Sequence, residues 1–525
     1  MNITGKNFIN GERSASNSQT LYSYDAHTGD RLPWFFYQAS REEAEAACRS
    51  AEQAFETYHT TSPQQRAQFL DAIADELDEL DDDFIHLVMR ETALPEGRIR
   101  GERARTSGQM RLFGSVLRRG DYLGARIDCA LPDRQPLPRP DLRQMKQAVG
   151  PVAVFGASNF PMAFSTAGGD TASALAAGCP VVMKAHSGHM ATAECVAQAI
   201  CRAVSKSGMP PGVFNMIYGG GIGEVLVRHP AIQAVGFTGS LKGGRALCEM
   251  AASRPNPIPV FAEMSSINPV VLLPGALSVR GEQTADELHD SVVLGCGQFC
   301  TNPGLFIGIR SAAFSHFVEH LSARIAQSPP QTMLNQGVLS SYEAGLNRLH
   351  AHQNMTHLAG KAQQGNQACP QLFRADASLL IKGHPLLQEE VFGPLTIAVE
   401  VEDEAILKLA LQGLRGQLTA TLIAEEEDLR AFASLLPLLT RKAGRVLING
   451  YPTGVEVSDA MVHGGPYPAT SDVRGTSVGT LAIERFLRPV CYQNTPDELL
   501  PDALKNRNLL KINRLVDGQW FNGDI

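Results

Sequence analysis

From Gly150 onward, short unbroken apolar runs alternate with helical segments: "VAVF" at 152, "VVMK" at 181, "FNMIY" at 214 and "AVGF" at 234. A strand with one wet face would alternate apolar and polar residues. Continuous runs instead suit strands covered on both faces, as in a parallel sheet with helices on each side. Ala- and Gly-rich helices are expected between them, near 166–178 and 190–207. The rhythm of strand, helix, strand predicts an α/β doubly wound domain, the usual host of a nucleotide.

At 525 residues the chain exceeds one hydrophobic core, and length alone suggests roughly three domain-sized units. Ahead of the apolar runs, "FINGE" carries an Asn10-Gly11 hairpin turn. Ser40 with Glu43, and Ser62, Pro63 and Gln65, are helix-start signals, so the first third is read as helix-rich. After "FAEMSSINPVVLL" a second strand-rich region extends to about residue 465 and includes "RVLING" at 445–450. The tail closes on "LVDGQWFNGD", an extended segment able to pair with another subunit.

Hydrophobic residues at 44% and charged residues at 19% lie near globular averages, which excludes a disordered chain or a fibre. A net charge of −8, with no long run of like charge beyond "DELDELDDD" in a helical pattern, argues against a nucleic-acid partner. No apolar stretch reaches about 18 residues, and the opening "MNITGKNFINGERSAS" lacks the apolar centre of a signal peptide. No membrane contact and a cytoplasmic location are expected.

The ten cysteines have no framework spacing, and a reducing compartment would keep them as thiols. Cys296 and Cys300, in "GCGQFCTNPG" (295–304), are therefore not expected to form a disulfide. Neither C-x-x-C nor H-E-x-x-H lies near enough to complete a zinc site. His186 with His189, and His350, His352 and His357, read as ordinary loop or helix-face histidines, so no metal is expected. The G-x-G-x-x-G fingerprint is absent, because "GGGIGE" ends in Glu224. "FTGSLKGG" places Gly239, Ser240 and Gly244 at a strand-to-helix turn, where backbone N–H groups and the Ser240 hydroxyl can take a pyrophosphate oxygen. Plain turn glycines are the alternative.

"SNFP" (158–161), "VVMK" (181–184), "FTGS" (237–240), "AEMSSINP" (262–269), "GQFCTNPG" (297–304) and "EEVFGP" (389–394) occur in one order and spacing. In this the chain resembles the aldehyde dehydrogenase superfamily over nearly its whole length. The resemblance implies a Rossmann-type cofactor domain from 1–125 and 150–261 and an α/β catalytic domain over 262–465. It also implies a small β oligomerisation element from 126–149 and 485–525, in a homodimer or homotetramer.

By the same resemblance Cys300 is the nucleophile. Its sulfur would attack a small-molecule aldehyde, and the resulting thiohemiacetal would give up hydride to a nicotinamide, leaving a thioester for water to cleave. That role leads one to expect a thiol pKa lowered toward about pH 7. Cys296, four residues earlier, reads as a small apolar residue in the packed approach to the loop. The Asn159 amide and the Cys300 N–H are the implied oxyanion donors. Glu263 is the implied general base of hydrolysis, and its presence points to a free acid as product. The usual Leu-Gly-Gly after that glutamate reads Met264-Ser265-Ser266 here, which opens the question of the local backbone.

Glu390 and Phe392 match residues that hold the nicotinamide ribose and ring, and Lys184 matches a ribose-binding lysine. Where NAD-preferring members carry a glutamate stands Ser187. A carboxylate would repel a 2′-phosphate, whereas Ser187 with Lys184 and His186 would not; NADP is favoured, with NAD the alternative. "GGDTASALAAGCPVVMKAH" (168–186), "HGGPYPATSD" (463–472) and "TSVGTLAIERFLRPVCYQ" (476–493) resemble the family's α-ketoglutarate semialdehyde (2,5-dioxovalerate) dehydrogenases. They also resemble its NADP-linked long-chain fatty aldehyde members. Phe160, Ala163 and Ala167 are expected along the aldehyde tunnel, the alanines following Asn159 at helical spacing. An anionic substrate wants a cation there, and Arg103, Arg105 and Arg111 are the candidates, with solvated helix-face charges the plainer reading. A non-catalytic family member is the remaining class, but it would be expected to have lost Cys300 or Glu263, and both are kept.

Overall fold

The computed structural model describes residues 2–363 and 365–525; Met1 and Gln364, within the expected segments 1–125 and 262–465, lie outside the described residues. Five parallel strands form the first sheet: β1 (Val152–Phe155), β2 (Val181–Lys184), β3 (Phe214–Ile217), β4 (Ala234–Thr238) and β5 (Val260–Glu263). They lie in the order β5-β4-β1-β2-β3. The chain thus winds outward to β3, returns, and winds outward again on the other side of β1. Strands β1 and β3 are buried throughout, as their unbroken apolar sequences require. The strand order reverses between β1 and β4, which is where a doubly wound sheet opens a crevice at the carboxyl ends of its strands. On the β3 edge sits the antiparallel hairpin of Asn7–Ile9 and Glu12–Ser14, turned by Asn10 and Gly11 at φ 52° and 78°.

Helices Arg41–Tyr58 and Pro63–Asp78 both open on capping boxes, formed by Ser40 with Glu43 and by Ser62 with Gln65. Four further helices position the site: α1 (Glu96–Arg119), α2 (Gly169–Ala177), α3 (Met190–Lys206) and α4 (Leu241–Ala252). Helix α2 starts later than the expected residue 166. Residues 161–167 are successive turns, with the Gly169 N–H donating to the Ala163 carbonyl at 3.1 Å.

The second sheet is built on β6 (Val270–Leu272), β7 (Leu305–Ile309), β8 (Gln371–Ala375), β9 (Leu395–Val401), β10 (Gln417–Ile423) and β11 (Ala443–Ile448). These run parallel in the order β8-β9-β7-β6-β10-β11, and Met355–Gly360 adds an antiparallel strand beside β8. A third, five-stranded sheet unites Arg126–Asp128 and Leu142–Ala148 with Leu487–Gln493, Arg514–Val516 and Gln519–Phe521. The tail pairs within its own chain: Arg514–Val516 runs parallel to Arg126–Asp128 and antiparallel to Gln519–Phe521. This leaves Trp520 on the outermost strand, 71% exposed. No helix among the described residues is long and apolar enough to cross a membrane.

Candidate active site

Cys300 stands on a loop whose backbone is left-handed for three consecutive residues, Gly295, Cys296 and Gly297, at φ 54°, 59° and 63°. A Cβ on Gly297 would lie 2.4 Å from the Gly393 carbonyl, so the cysteine loop and "EEVFGP" touch backbone to backbone and only glycine fits. Gln298 braces the loop, donating to the Gly295 carbonyl at 3.1 Å and accepting from the Leu334 N–H at 2.9 Å. Asn268 donates to the Cys300 and Asn302 carbonyls at 2.8 and 2.9 Å. Cys296 belongs to the core of the second sheet: it is 2% exposed, with its sulfur 3.2 Å from Met333 Sδ. Burial pushes its thiol up to about 12.

Around Cys300 the surroundings differ. Its Sγ lies 3.3 Å from His463 Nε2, and the same nitrogen lies 3.0 Å from Glu263 Oε1. Ser477 Oγ donates to the other Glu263 oxygen at 2.5 Å. The His463 and Glu263 side chains are each 1% exposed. The segment after β11 delivers His463, whose N–H donates to Thr476 Oγ1 at 2.8 Å and whose carbonyl accepts from the Ser477 N–H at 2.8 Å. The other ring nitrogen, Nδ1, is buried without a partner among the described residues. A proton on Nε2 therefore serves both Glu263 and the sulfur.

Burial alone would raise the Glu263 carboxyl, but His463, then Ser477 and the Cys300 thiol, outweigh it and hold it below its ordinary range. The Cys300 thiol moves the other way. Burial pushes it well above its ordinary value, and the Glu263 and Glu390 carboxylates push it further. This is opposite in direction to the lowered thiol pKa that its role leads one to expect: half-buried and lined by acids, the thiol holds its proton and must hand it on to react.

Two cavities meet at this sulfur. The larger, about 670 Å³, extends from Gly239 and Ser240 past Asn159 and Glu263 to Glu390 and Phe392. It opens where the strand order reverses, between the ends of β1 and β4. Ser240 caps α4 by accepting the Gly243 N–H at 3.1 Å, and Leu241 and Lys242, at the helix start, line the cavity. Gly244 lies against Met264, where a Cβ would come within 2.6 Å. Lys184 ends β2 with no hydrogen bond or ion pair among the described residues, and burial lowers its pKa. Such an ammonium fits ribose hydroxyls or a phosphate.

Ser187 is exposed, directly after buried Ala185 and half-buried His186. Burial, then His189 and Lys184, hold the His186 pKa well below its ordinary value, so this ring offers a hydrogen bond rather than a charge. Burial, then Glu263, raises Glu390 well above the usual carboxylate range. Asn159 is 8% exposed and donates one amide hydrogen to the Gln298 carbonyl at 3.1 Å. The Cys300 N–H has no partner among the described residues. The cavity, the helix start and the unpaired lysine together fit a dinucleotide whose reactive ring ends beside Cys300.

The second cavity, about 380 Å³, approaches Cys300 from the other side, between Arg98, Glu102 and Arg105 of α1 and the rings of Phe160, Phe164 and Phe299. Buried Glu102 accepts the Met162 and Ala163 N–H groups at 2.9 and 3.0 Å through one oxygen. Its other oxygen has no hydrogen bond and lies 3.6 Å from Arg98 Nε. Arg98 stacks on Phe160 and Phe299, 4.3 and 4.8 Å from the ring centroids. Arg105 donates to the Val455 carbonyl, and its Nε has no partner among the described residues. Arg445, on β11, donates to the Pro452 and Gly454 carbonyls at 2.6 and 2.9 Å, and its Nε is likewise unpartnered.

Arg103 and Arg111 do not reach the tunnel. Arg103 donates to the Leu80 carbonyl, and Arg111 pairs with Asp75 and Asp78 at 2.7 and 2.8 Å. The 3.6-residue helical period turns both away from the face shared by Arg98, Glu102 and Arg105. Ala163 and Ala167 are buried outside the lining as well, because the helical spacing assumed for them is a run of turns that presents Phe164 instead.

The sequence profile of the aldehyde dehydrogenase family matches residues 14–467. The chain belongs to this family. An alpha-ketoglutaric semialdehyde dehydrogenase of Acinetobacter baylyi is 59% identical over 516 residues, covering 98% of each chain. Alpha-ketoglutaric semialdehyde dehydrogenase 2 of Azospirillum brasilense is 51% identical over 524 residues, covering 99% of this chain and 100% of its own. Among solved structures, a betaine aldehyde dehydrogenase of Staphylococcus aureus in complex with NAD+ superimposes with a TM-score of 0.80 at 21% identity. It covers 95% of this chain and 99% of that one, a likeness of fold.

In this aldehyde dehydrogenase the departure at Met264-Ser265-Ser266 has a structural answer. None of the three residues has a positive φ, so no glycine is required. The Met264 N–H donates to the Ala469 carbonyl at 2.8 Å, and Ser266 Oγ donates to Asn268 Oδ1 at 2.8 Å. The sequence reading passed over His463, Arg98 and Arg445. A helical wheel on "GRIRGERAR" groups Arg98 with Glu102 and Arg105, a signal available from the start. His463 and Arg445 carry no local signal; only the tertiary fold brings them to Cys300.

Proposed function

We propose that this aldehyde dehydrogenase oxidises 2,5-dioxovalerate to 2-oxoglutarate with NADP as hydride acceptor. The observation that carries the substrate is the charge of the tunnel: Arg98 and Arg105 line it with one buried acid, Glu102, and Arg445 adds a third positive charge near the reactive sulfur. An aldehyde with a carboxylate at its far end supplies the missing anion. The names of the two relatives above support the same substrate.

In this reading the Cys300 proton passes to Glu263, whose carboxylate lies within 4.8 Å of the sulfur, while the Nε2–H of His463 steadies the thiolate. The sulfur attacks the aldehyde carbon. The new oxyanion takes the free Cys300 N–H and the second amide hydrogen of Asn159, and removing one such donor typically costs about 2.7–4 kcal/mol of barrier. A nicotinamide dinucleotide, held by Lys184, Ser187, Gly239, Ser240, Gly244, Glu390 and Phe392, supplies the hydride acceptor. Glu263 releases its proton to solvent and then takes one from the water that attacks the Cys300 thioester; the carbon–sulfur bond breaks and Glu263 returns that proton to the sulfur. The acid leaves and the thiol is restored.

Arg105→Met is expected to lower kcat/KM for 2,5-dioxovalerate by about tenfold or more, since a hydrogen bond to a charged group contributes roughly 1.5–3 kcal/mol. Hexanal should change far less, as it has no anion to lose. Steady-state kinetics on both aldehydes check this, and an equal fall for both would assign the arginine to shaping the tunnel.

NADP should exceed NAD in kcat/KM, because the unpaired Lys184 faces no carboxylate at position 187. Ser187→Glu should weaken NADP more than NAD, read by titrating each cofactor; wild-type preference for NAD would contradict the argument. The phenylalanines of the tunnel favour a second reading, a neutral long-chain aldehyde. A homodimer or homotetramer in the cytoplasm completes the proposal, supported by ten free cysteines that a reducing compartment would maintain.

A further inference from the structure

The side chains that meet at the reactive sulfur are also a metal-ligand set: one thiol, one imidazole and one carboxylate, the donors that zinc takes. Their ligand atoms all lie within 4.8 Å of one another, and no other such group of three occurs among the described residues. Sγ to Nε2 is 3.3 Å and Nε2 to Oε1 is 3.0 Å. Around a tetrahedral zinc, with Zn–S about 2.3 Å and Zn–N or Zn–O about 2.0–2.1 Å, neighbouring donors stand roughly 3.3–3.6 Å apart. The Sγ–Nε2 and Nε2–Oε1 separations lie within a few tenths of an ångström of that arrangement, and the sulfur and the carboxylate, within 4.8 Å of each other, would close on the ion by side-chain rotation.

We propose that Cys300, His463 and Glu263 form an inhibitory site for Zn2+. Two of the three ligands are held in place before any metal arrives: Glu263 by Ser477, and His463 through its backbone by Thr476 and Ser477. The fourth position of a tetrahedral ion would face the cavities that converge on Cys300, leaving it for water. On binding, the Cys300 S–H bond breaks, an S–Zn bond forms, and the proton leaves to solvent; nothing is oxidised or reduced. The sulfur pair that would attack the aldehyde is then held by the metal, and a chelator restores it. Inhibition rests on the reading of Cys300 as nucleophile, whereas binding does not.

Co2+ is the probe, because its tetrahedral thiolate complexes absorb strongly and Zn2+ displaces it from the same ligands. Titrating the full chain with Co2+ should give one saturable thiolate-to-metal band per chain, abolished by excess Zn2+ and untouched by Mg2+. Cys300→Ser should remove the band. His463→Gln and Glu263→Gln should each weaken binding by at least the roughly 10–100-fold that loss of even an outer-shell partner costs. Cys296→Ser and Cys491→Ser should leave it unchanged. Zn2+ should inhibit wild-type oxidation over the same concentration range, with recovery on adding EDTA. A band that survives Cys300→Ser, or binding indifferent to His463→Gln, would overturn the site. A Cys300-dependent band without inhibition would overturn the inhibitory role and count against Cys300 as nucleophile.

Discussion

Cys300→Ala is expected to oxidise no aldehyde above background, a loss on the order of 10⁴–10⁶ in kcat, because only binding and oxyanion contacts outlive the nucleophile. The expectation follows from position. Cys300 is the cysteine that touches both cavities, and its sulfur has His463 and Glu263 to receive and steady its charge. Cys296→Ala should keep most activity, since its sulfur packs on Met333 in the core and has no path to either cavity. Its cost should fall on stability instead, at about 1 kcal/mol for the small void left behind. Cofactor reduction followed by the absorbance of the reduced nicotinamide, together with thermal melts of both variants, separates the two effects. Activity retained without Cys300 and lost without Cys296 would reverse the assignment.

Glu263→Gln carries the second large effect. Glu263 is placed to take a proton twice, first from the thiol and then from water. With glutamine there, rapid mixing should show a slowed burst of reduced cofactor, followed by a steady state lower by roughly 10²–10⁴, the usual cost of a lost general base. The burst should survive because His463 still faces the sulfur at 3.3 Å and solvent can take the thiol proton. Raising the pH should therefore speed the burst. A mutant with no burst at any pH would confine Glu263 to thiol activation. A mutant with wild-type turnover would place the hydrolytic base elsewhere, with His463 the nearest group.

The parallel strands were legible because burial on both faces leaves an unbroken apolar signature, and the Asn-Gly turn and capping boxes because their chemistry is local. Residues 160–167 misled for the opposite reason: their small and apolar composition permits a helix, but Glu102 draws the Met162 and Ala163 N–H groups into a turn. The three left-handed residues at 295–297 could not be read from composition either, since the close approach of Gly297 to Gly393 is a tertiary contact and Cys296, no glycine, also has a positive φ. His463 is the largest omission at the site. It lies 163 residues from Cys300 in sequence, and no periodicity links them. The raised pKa of Cys300 illustrates the same limit, because burial by the tertiary fold raises it first and Glu263 and Glu390, from two other segments, raise it further.

Oxidation of an anionic aldehyde guided by the tunnel arginines is tested by kcat/KM with NADP across 2,5-dioxovalerate, succinate semialdehyde, hexanal and decanal. 2,5-dioxovalerate should lead decanal by about tenfold or more, the minimum expected of one charge-assisted contact that decanal lacks. Decanal leading by a similar margin would contradict it, and would assign the tunnel to its phenylalanines rather than its arginines.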